Sequence, residues 1–321
     1  MRAIGNVIVV VLVGGCGRSG FDALGGDAAV APDDASTDAR APAPWEGDFT
    51  LDEPELVPAL NSDGAEAECF FATDTTLWFQ STRVGGSGGA DAYQATRDAV
   101  GAPWGDVIEL TGINTPALDG RLVTPTPGAL VAYLHSDRMP NQGGSDIWTL
   151  ARADADAPFD SADIVNLGPI NSAGADFDPW VSADDARLYF VIPDLPDAPG
   201  GQDIVMAQRP APGDPHDPPA PLAGLNSPMD DDNPALSPDE RFVIFGSSRT
   251  EGGLGGKDLW YARRDDRDAP FSAPQPLPVV NSTSDDWEAC FNEHGELYFA
   301  SNRPGGMGQN DIYMTRFVPL D

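Results

Sequence analysis

An apolar-Asn-Ser/Thr element recurs five times along the chain, as Leu60-Asn61-Ser62, Ile113-Asn114-Thr115, Ile170-Asn171-Ser172, Leu225-Asn226-Ser227 and Val280-Asn281-Ser282. The asparagines are 53, 57, 55 and 55 residues apart. A second element, Asp followed by an apolar pair, recurs as Asp91-Ala92-Tyr93, Asp146-Ile147-Trp148, Asp203-Ile204-Val205, Asp258-Leu259-Trp260 and Asp311-Ile312-Tyr313, spaced 55, 57, 55 and 53 residues apart. Two independent markers with one period define a tandem repeat. A unit of fifty-odd residues holds about four short strands, which is one blade of a β-propeller.

Each unit reads in the same order. A segment with acidic residues and proline comes first, clearest at 230–236, and a turn follows it. Next comes a short apolar run such as Phe242-Val243-Ile244-Phe245 or Leu297-Tyr298-Phe299. These runs lack helical spacing, are rich in aromatic and β-branched residues and are bounded by turn residues, so they predict strands. Ser-x-Arg then appears, as Ser81 to Arg83, Ser136 to Arg138, Ser247 to Arg249 and Ser301 to Arg303, and a glycine-rich loop leads to the Asp-apolar strand. An aromatic beside proline opens a last strand. Trp45 to Leu60 matches that last strand without its blade, and the chain ends at Asp321 just after the third strand of the fifth unit. The two ends complete each other, which removes exposed sheet edges. The expectation is an all-β protein with a single five-bladed propeller over 45–321, closed by its N-terminal strand.

The stretches Asn233-Pro234-Ala235-Leu236-Ser237-Pro238-Asp239 and Phe299-Ala300-Ser301-Asn302-Arg303, followed by Asp311-Ile312-Tyr313, resemble the TolB-type, WD40-like β-propeller repeat. The resemblance implies a bacterial-envelope propeller that serves as a binding scaffold. The third unit departs from the pattern, with Pro193-Asp194 where Ser-x-Arg is expected.

What precedes the repeats points to export. Arg2 is followed by an apolar run from Val7 to Val13, too short for the roughly 20 residues that span a bilayer and suited to a secretory signal. Leu12-Val13-Gly14-Gly15-Cys16 resembles the lipobox of bacterial lipoproteins, which implies a signal peptide at 1–15 and lipidation of Cys16. Gly17 after that cysteine points to the outer membrane. Residues 16–44 then form a flexible acidic linker. Charge agrees with an exported, solvated domain: 18 Lys+Arg against 51 Asp+Glu gives −33, and Lys257 is the only lysine. Nucleic acid and anionic membrane surfaces are excluded as partners, because both need clustered basic side chains.

Candidate sites follow from the repeat. The arginine of Ser-x-Arg and the aspartate opening the next strand flank one hairpin, so Arg83 with Asp91, Arg138 with Asp146, Arg249 with Asp258, and Arg303 with Asp311 are expected to pair as structural ion pairs. Superposing the first unit on the fifth puts Cys69 and Cys290 one position out of step on strands of neighbouring blades; an exported location permits a disulfide there, the alternative being two small buried thiols. Acidic residues precede the first apolar strand of several units. Glu66, Glu68, Asp178, Asp232, Asp286 and Glu288 are the candidates for an acidic channel mouth, which would bind a divalent cation such as Ca2+ or a basic partner segment, or simply be a solvated surface. No other cofactor is expected. The three histidines (His135, His216, His294) show no metal-ligand spacing and no nucleophile elbow is present. The leading expectation is therefore a monomeric, lipid-anchored, non-catalytic scaffold for an envelope protein. A carbohydrate or peptidoglycan binder is the first alternative. A glycosidase is the second, since five-bladed glycosidases place carboxylates in the central cavity, and Glu68 and Glu288 with Asp178 would act as acid and base.

Overall fold

The structure, a computed structural model, describes residues 42–155, 157–196 and 198–320. The expected signal peptide, the lipidation site Cys16 and the linker up to residue 41 lie outside the described residues. The propeller is a compact unit over Pro42–Asp321.

Two short strands come first, β1 (Phe49–Leu51) and β2 (Glu55–Leu56). Blade one contains β3 (Glu66–Thr73), β4 (Thr76–Ser81), β5 (Asp91–Thr96) and β6 (Val107–Glu109). Blade two contains β7 (Val131–Ser136), β8 (Asp146–Ala151) and β9 (Val165–Asn166). Blade three contains β10 (Phe177–Val181), β11 (Arg187–Pro193), β12 (Gln202–Gln208) and β13 (Ala220–Pro221). Blade four contains β14 (Asp231–Leu236), β15 (Phe242–Ser247), β16 (Asp258–Arg263) and β17 (Gln275–Pro276), and blade five contains β18 (Asp286–Phe291), β19 (Glu296–Ser301) and β20 (Asp311–Pro319). Each blade is an antiparallel meander whose sheet order follows the chain. In blade two the innermost segment forms no continuous ladder with β7 among the described residues, pairing with it through the isolated bridges Asp119↔Ser136 and Val123↔Tyr133. Gly120 explains the break: a Cβ there would lie 1.9 Å from His135 Nε2, so only glycine lets the backbone pass that ring.

The N-terminal strands complete blade five. β1 pairs β20 through Phe49↔Pro319, Thr50↔Val318 and Leu51↔Phe317, and β2 pairs it through Glu55↔Met314 and Leu56↔Tyr313. The protein is thus an all-β five-bladed propeller closed by its N-terminal strand.

The repeat markers are the parts that join one blade to the next. Asn114 Nδ2 donates to Ala92 O and its Oδ1 accepts Ala92 N–H, a pair of bonds that satisfies a buried backbone group on each side. Asn171, Asn226 and Asn281 do the same for Ile147, Ile204 and Leu259. Asn61 makes the identical pair with Ile312, across the junction of blades one and five. The apolar runs then fill the spaces between blades, so that Leu77, Phe79 and Tyr93 of blade one share a cluster with Tyr298 and Ile312 of blade five. Arg97 and Glu296, both with side chains 1% exposed, form an ion pair of 2.5 Å at that junction.

The expected pairing of Ser-x-Arg with the next aspartate is corrected by the structure. Arg83 pairs with Glu66 at 3.3 Å, Arg249 with Asp231 at 2.5 Å, Arg303 with Asp286 at 2.5 Å, and Arg138 with Asp119. These acids lie five residues after the marker asparagine on the innermost strand. The serine hydroxyl bridges the group, as Ser81 Oγ donates to Glu66 and accepts Arg83 Nε. Each arginine also covers aromatic rings, Arg83 over Tyr93 at 4.8 Å and Arg303 over Tyr313 at 4.9 Å. Asp91, Asp146, Asp258 and Asp311 face the glycine loop instead and accept its backbone N–H groups, from Gly88, Gln142, Leu254 and Met307. Both sets of acids are buried; the serine of Ser-x-Arg accepts the arginine Nε and so places the guanidinium beside the inner-strand acid.

Candidate functional site

In every unit the residue seven positions after the marker asparagine reaches the central channel: Glu68, Arg121, Asp178, Asn233 and Glu288. Four of these have left-handed backbone, with φ of 54° at Glu68, 57° at Asp178, 51° at Asn233 and 54° at Glu288. The inner ladders shift register at the same points. The repeat thus places a bulge in the inner strand of four blades, and it is the bulge that turns these side chains onto the axis. Such backbone costs about 1 kcal/mol or more per residue. No glycine relieves it, so the side chains are what the geometry serves.

A cavity of about 250 Å³ opens on this ring, lined by Glu68, Asp178, Glu288 and Asn233, with His135, Asp232, Lys257, Gln202 and Phe177 completing its wall. Lys257 Nζ donates to Asp232 Oδ2. Glu68 N–H donates to Glu288 Oε2 at 3.1 Å, and Arg121 N–H donates to Glu68 Oε2 at 2.5 Å. Asp178 N–H donates to His135 Nδ1 at 3.1 Å, which leaves the proton of a neutral imidazole on Nε2, 3.5 Å from Glu68 Oε1.

Burial sets the electrostatics. Desolvation pushes Glu68 up to about 7, against the pull of the Arg121 amide and guanidinium. Desolvation and then the neighbouring Glu68 carboxylate push Glu288 up to about 8, with Lys257 opposing. Asp178 is raised well above the usual carboxylate range, by burial first and Glu68 second. Burial lowers His135, which therefore stays neutral. Two neighbouring carboxyls that both exchange their protons near neutral pH are an arrangement suited to acid–base chemistry. Glu68, His135 and Asp178 also present ligand atoms within 4.8 Å of one another and so can hold a metal ion.

Of the six residues expected at an acidic mouth, Glu68, Asp178, Asp232 and Glu288 line this cavity. Glu66 and Asp286 do not: they are fully buried partners of Arg83 and Arg303. The separation follows from the bulge, which gives the residues at five and seven positions after the asparagine different faces. Cys69 and Cys290 are joined in a disulfide, with Cα atoms 5.6 Å apart. It ties the inner strands of blades one and five immediately beside Glu68 and Glu288. Reasoning from the sequence missed Arg121, His135, Asn233, Gln202 and Lys257 as channel residues. Arg121 and Asn233 carried a signal, since the constant offset from the marker asparagine picks them out; His135, Gln202 and Lys257 come from second and third strands and loops, where no offset marks them.

No family model matches this sequence, and no curated protein matches it. Solved structures do share the fold. The α-L-arabinofuranosidase from Lactobacillus brevis is similar with a TM-score of 0.54 and 13% identity, over 83% of this chain and 93% of that one. The GH43_1 enzyme from Xanthomonas citri gives 0.51 and 15% identity over 83% and 93%, and a thermostable family-43 glycoside hydrolase gives 0.50 and 10% over 82% and 92%. These likenesses define a five-bladed β-propeller; the TolB-type likeness stays with the repeat motif. They also correct two expectations, that of a scaffold for a protein partner and that of no enzymatic activity. The neighbours are glycoside hydrolases, and the acidic residues form a buried cluster inside the channel instead of a solvated ring at its rim.

Proposed function

We propose that this chain is a glycoside hydrolase that works in the polar half of the channel. The observation that carries the reading is the carboxyl pair of buried Glu68 and half-buried Glu288, tied by the hydrogen bond between Glu68 N–H and Glu288 Oε2. Coupled carboxyls lose their protons in succession. With the pair at about 7 and about 8, one is ionised and the other protonated near neutral pH, which is the division that glycosidic cleavage needs. Glu288, the higher of the two and the more open to the cavity, gives its proton to the leaving oxygen as the C–O bond breaks. Glu68, under the Arg121 amide, carries the charge that faces the oxocarbenium-like carbon; water forms the new C–O bond there and gives its proton to Glu68. Asp178, on the same bulge two blades further on from Glu68, steadies the developing positive charge. Phe177 and Trp287 are half-buried neighbours of Asp178 and Glu288 in the chain and offer ring faces to a sugar. The arabinofuranosidase and family-43 neighbours support the same class.

The site of action belongs to the same proposal. The lipobox-like sequence before Cys16 and the likeness to TolB-type repeats favour a monomer anchored to the outer membrane by lipid, with a cell-wall glycan as substrate. Calcium is the weaker part of the expectation: it takes six to eight oxygen ligands, whereas the Glu68–His135–Asp178 trio supplies two carboxylates and an imidazole nitrogen.

The test is a panel of chromogenic aryl glycosides, arabinofuranosides included, together with peptidoglycan fragments. Turnover is expected, and Glu288→Gln should lower kcat by about 100-fold or more, the usual contribution of a general acid. A panel without turnover, or turnover that survives both Glu68→Gln and Glu288→Gln, rules the reading out.

A further inference from the structure

The channel has a second end. Beyond the polar cavity, the inner strands continue two and three residues past the channel ring and line a separate cavity of about 160 Å³. Its apolar walls include Phe70, Phe71, Trp180, Leu236 and Phe291, and Asn292 and Glu293 also line it. Arg121 also lines it, and it is the group that separates this cavity from the carboxylates on the polar side.

Arg121 is unlike the other buried arginines. It is 2% exposed, yet no carboxylate lies within ion-pair distance among the described residues, where Arg97, Arg138, Arg209 and Arg264 all have one. Its Nη2 donates weakly to Ala289 O at 3.4 Å, and its Nε and Nη1 have no hydrogen-bond partner. A buried guanidinium with unmade donor bonds is costly. The nearest acids, Glu68, Asp178 and Glu288, lie toward the polar cavity and act on Arg121 only from beyond ion-pair distance, so an ionised Glu68 offsets part of its charge while Nε and Nη1 still lack an acceptor. Apolar aromatic walls around such a group match one ligand chemistry: a negative head on a small flat body.

We propose that this far cavity is a second binding site, taking a small aromatic carboxylate whose anion meets Arg121 and whose ring lies among Phe70, Phe71, Trp180 and Phe291. The cavity holds a single ring. The four aromatic side chains give it the edge and face contacts that aromatic pairs favour, and the carboxylate supplies acceptors for donors that otherwise have none. The site stands apart from the hydrolytic reading, because no step of glycoside cleavage passes through it. The net charge of −33 opposes the approach of any anion, and salt near 0.15 M shortens that field to about 8 Å.

Benzoate is the probe and benzamide its neutral isostere, titrated calorimetrically and by thermal unfolding into the full chain at 0.15 M salt. Benzoate should bind once per chain and raise Tm by a few degrees at ten times its Kd, and benzamide at least tenfold more weakly. Arg121→Met should abolish the difference between the two. Ala183, exposed on the rim of the cavity, tolerates a large side chain, so Ala183→Trp should weaken benzoate at least tenfold with the circular dichroism unchanged. Equal binding of benzoate and benzamide, or full benzoate affinity in Ala183→Trp, overturns the proposal. If Arg121→Met does not fold, those two comparisons still decide it.

Discussion

Replacing Asp176 with asparagine should flatten a pH dependence that blade three imposes on the whole propeller. Asp176 occupies the position taken by Glu66, Asp119, Asp231 and Asp286 in the other blades and is fully buried. Those four each meet the arginine of Ser-x-Arg. In blade three Ile192 stands in place of the serine and Asp194 in place of the arginine. Asp176 Oδ2 still accepts Ser172 N–H, but Oδ1 has no partner. Burial, eased only by the Ser172 bonds, pushes this carboxyl up to about 7 from 3.8. A folded pKa above the unfolded one means that the native state holds the proton longer. The resulting stability is present below about pH 4 and is lost as pH rises through about 7. Three units at 1.36 kcal/mol each come to about 4 kcal/mol, or about 10 °C in Tm for a domain of this size. Thermal unfolding of wild type and Asp176→Asn between pH 4 and 9 gives the measurement. The two should agree at the acid end, and the variant should melt about 10 °C higher above pH 8. Parallel curves, or a variant less stable at pH 8, refute the argument. The double change Ile192→Ser and Asp194→Arg supplies the missing donors and should flatten the profile in the same way.

Other outcomes follow from the channel and its junction. With the carboxyl pair at about 7 and about 8, kcat/KM should rise as Glu68 ionises through about 7 and fall as Glu288 loses its proton through about 8; a plateau extending to pH 5 contradicts the assignment. The disulfide closes a loop with a sequence separation of 221 residues, worth about 5 kcal/mol in the chain-entropy model. Cys69→Ala with Cys290→Ala should therefore lower Tm by about 10 °C, and an unchanged Tm contradicts this. Millimolar Ca2+ should leave Tm unchanged, because the trio at Glu68, His135 and Asp178 has too few oxygens; a saturable rise seen by differential scanning calorimetry restores calcium to the channel.

Much of this molecule was legible because tandem repetition writes each structural demand five times. The number of blades and their order follow from the spacing of Asn61, Asn114, Asn171, Asn226 and Asn281, and the closure from the match of Trp45 to Leu60 with a last strand that lacks its blade. Each asparagine must reach a backbone amide on the blade before it, which holds its spacing to 53–57 residues. The proximity of Cys69 to Cys290 followed from the same register. The partners of Arg83, Arg138, Arg249 and Arg303 were not legible, because an acid on the inner strand and an acid at the hairpin are both within reach of a long side chain. Both are buried, and only the tertiary structure shows that the serine aims each guanidinium at the inner one.

The channel divides along the same line. That acidic residues gather on the inner strands is a property of sequence, fixed by composition and repeat phase. Which of them share a site depended on one bulge per inner strand, where left-handed backbone at Glu68, Asp178, Asn233 and Glu288 breaks the two-residue alternation of faces. Lys257, Gln202 and His135 join them from other strands and loops, and burial turns ordinary carboxyls into groups that exchange protons near neutral pH. Desolvation and distance across blades are three-dimensional quantities, and the linear order of residues carries neither.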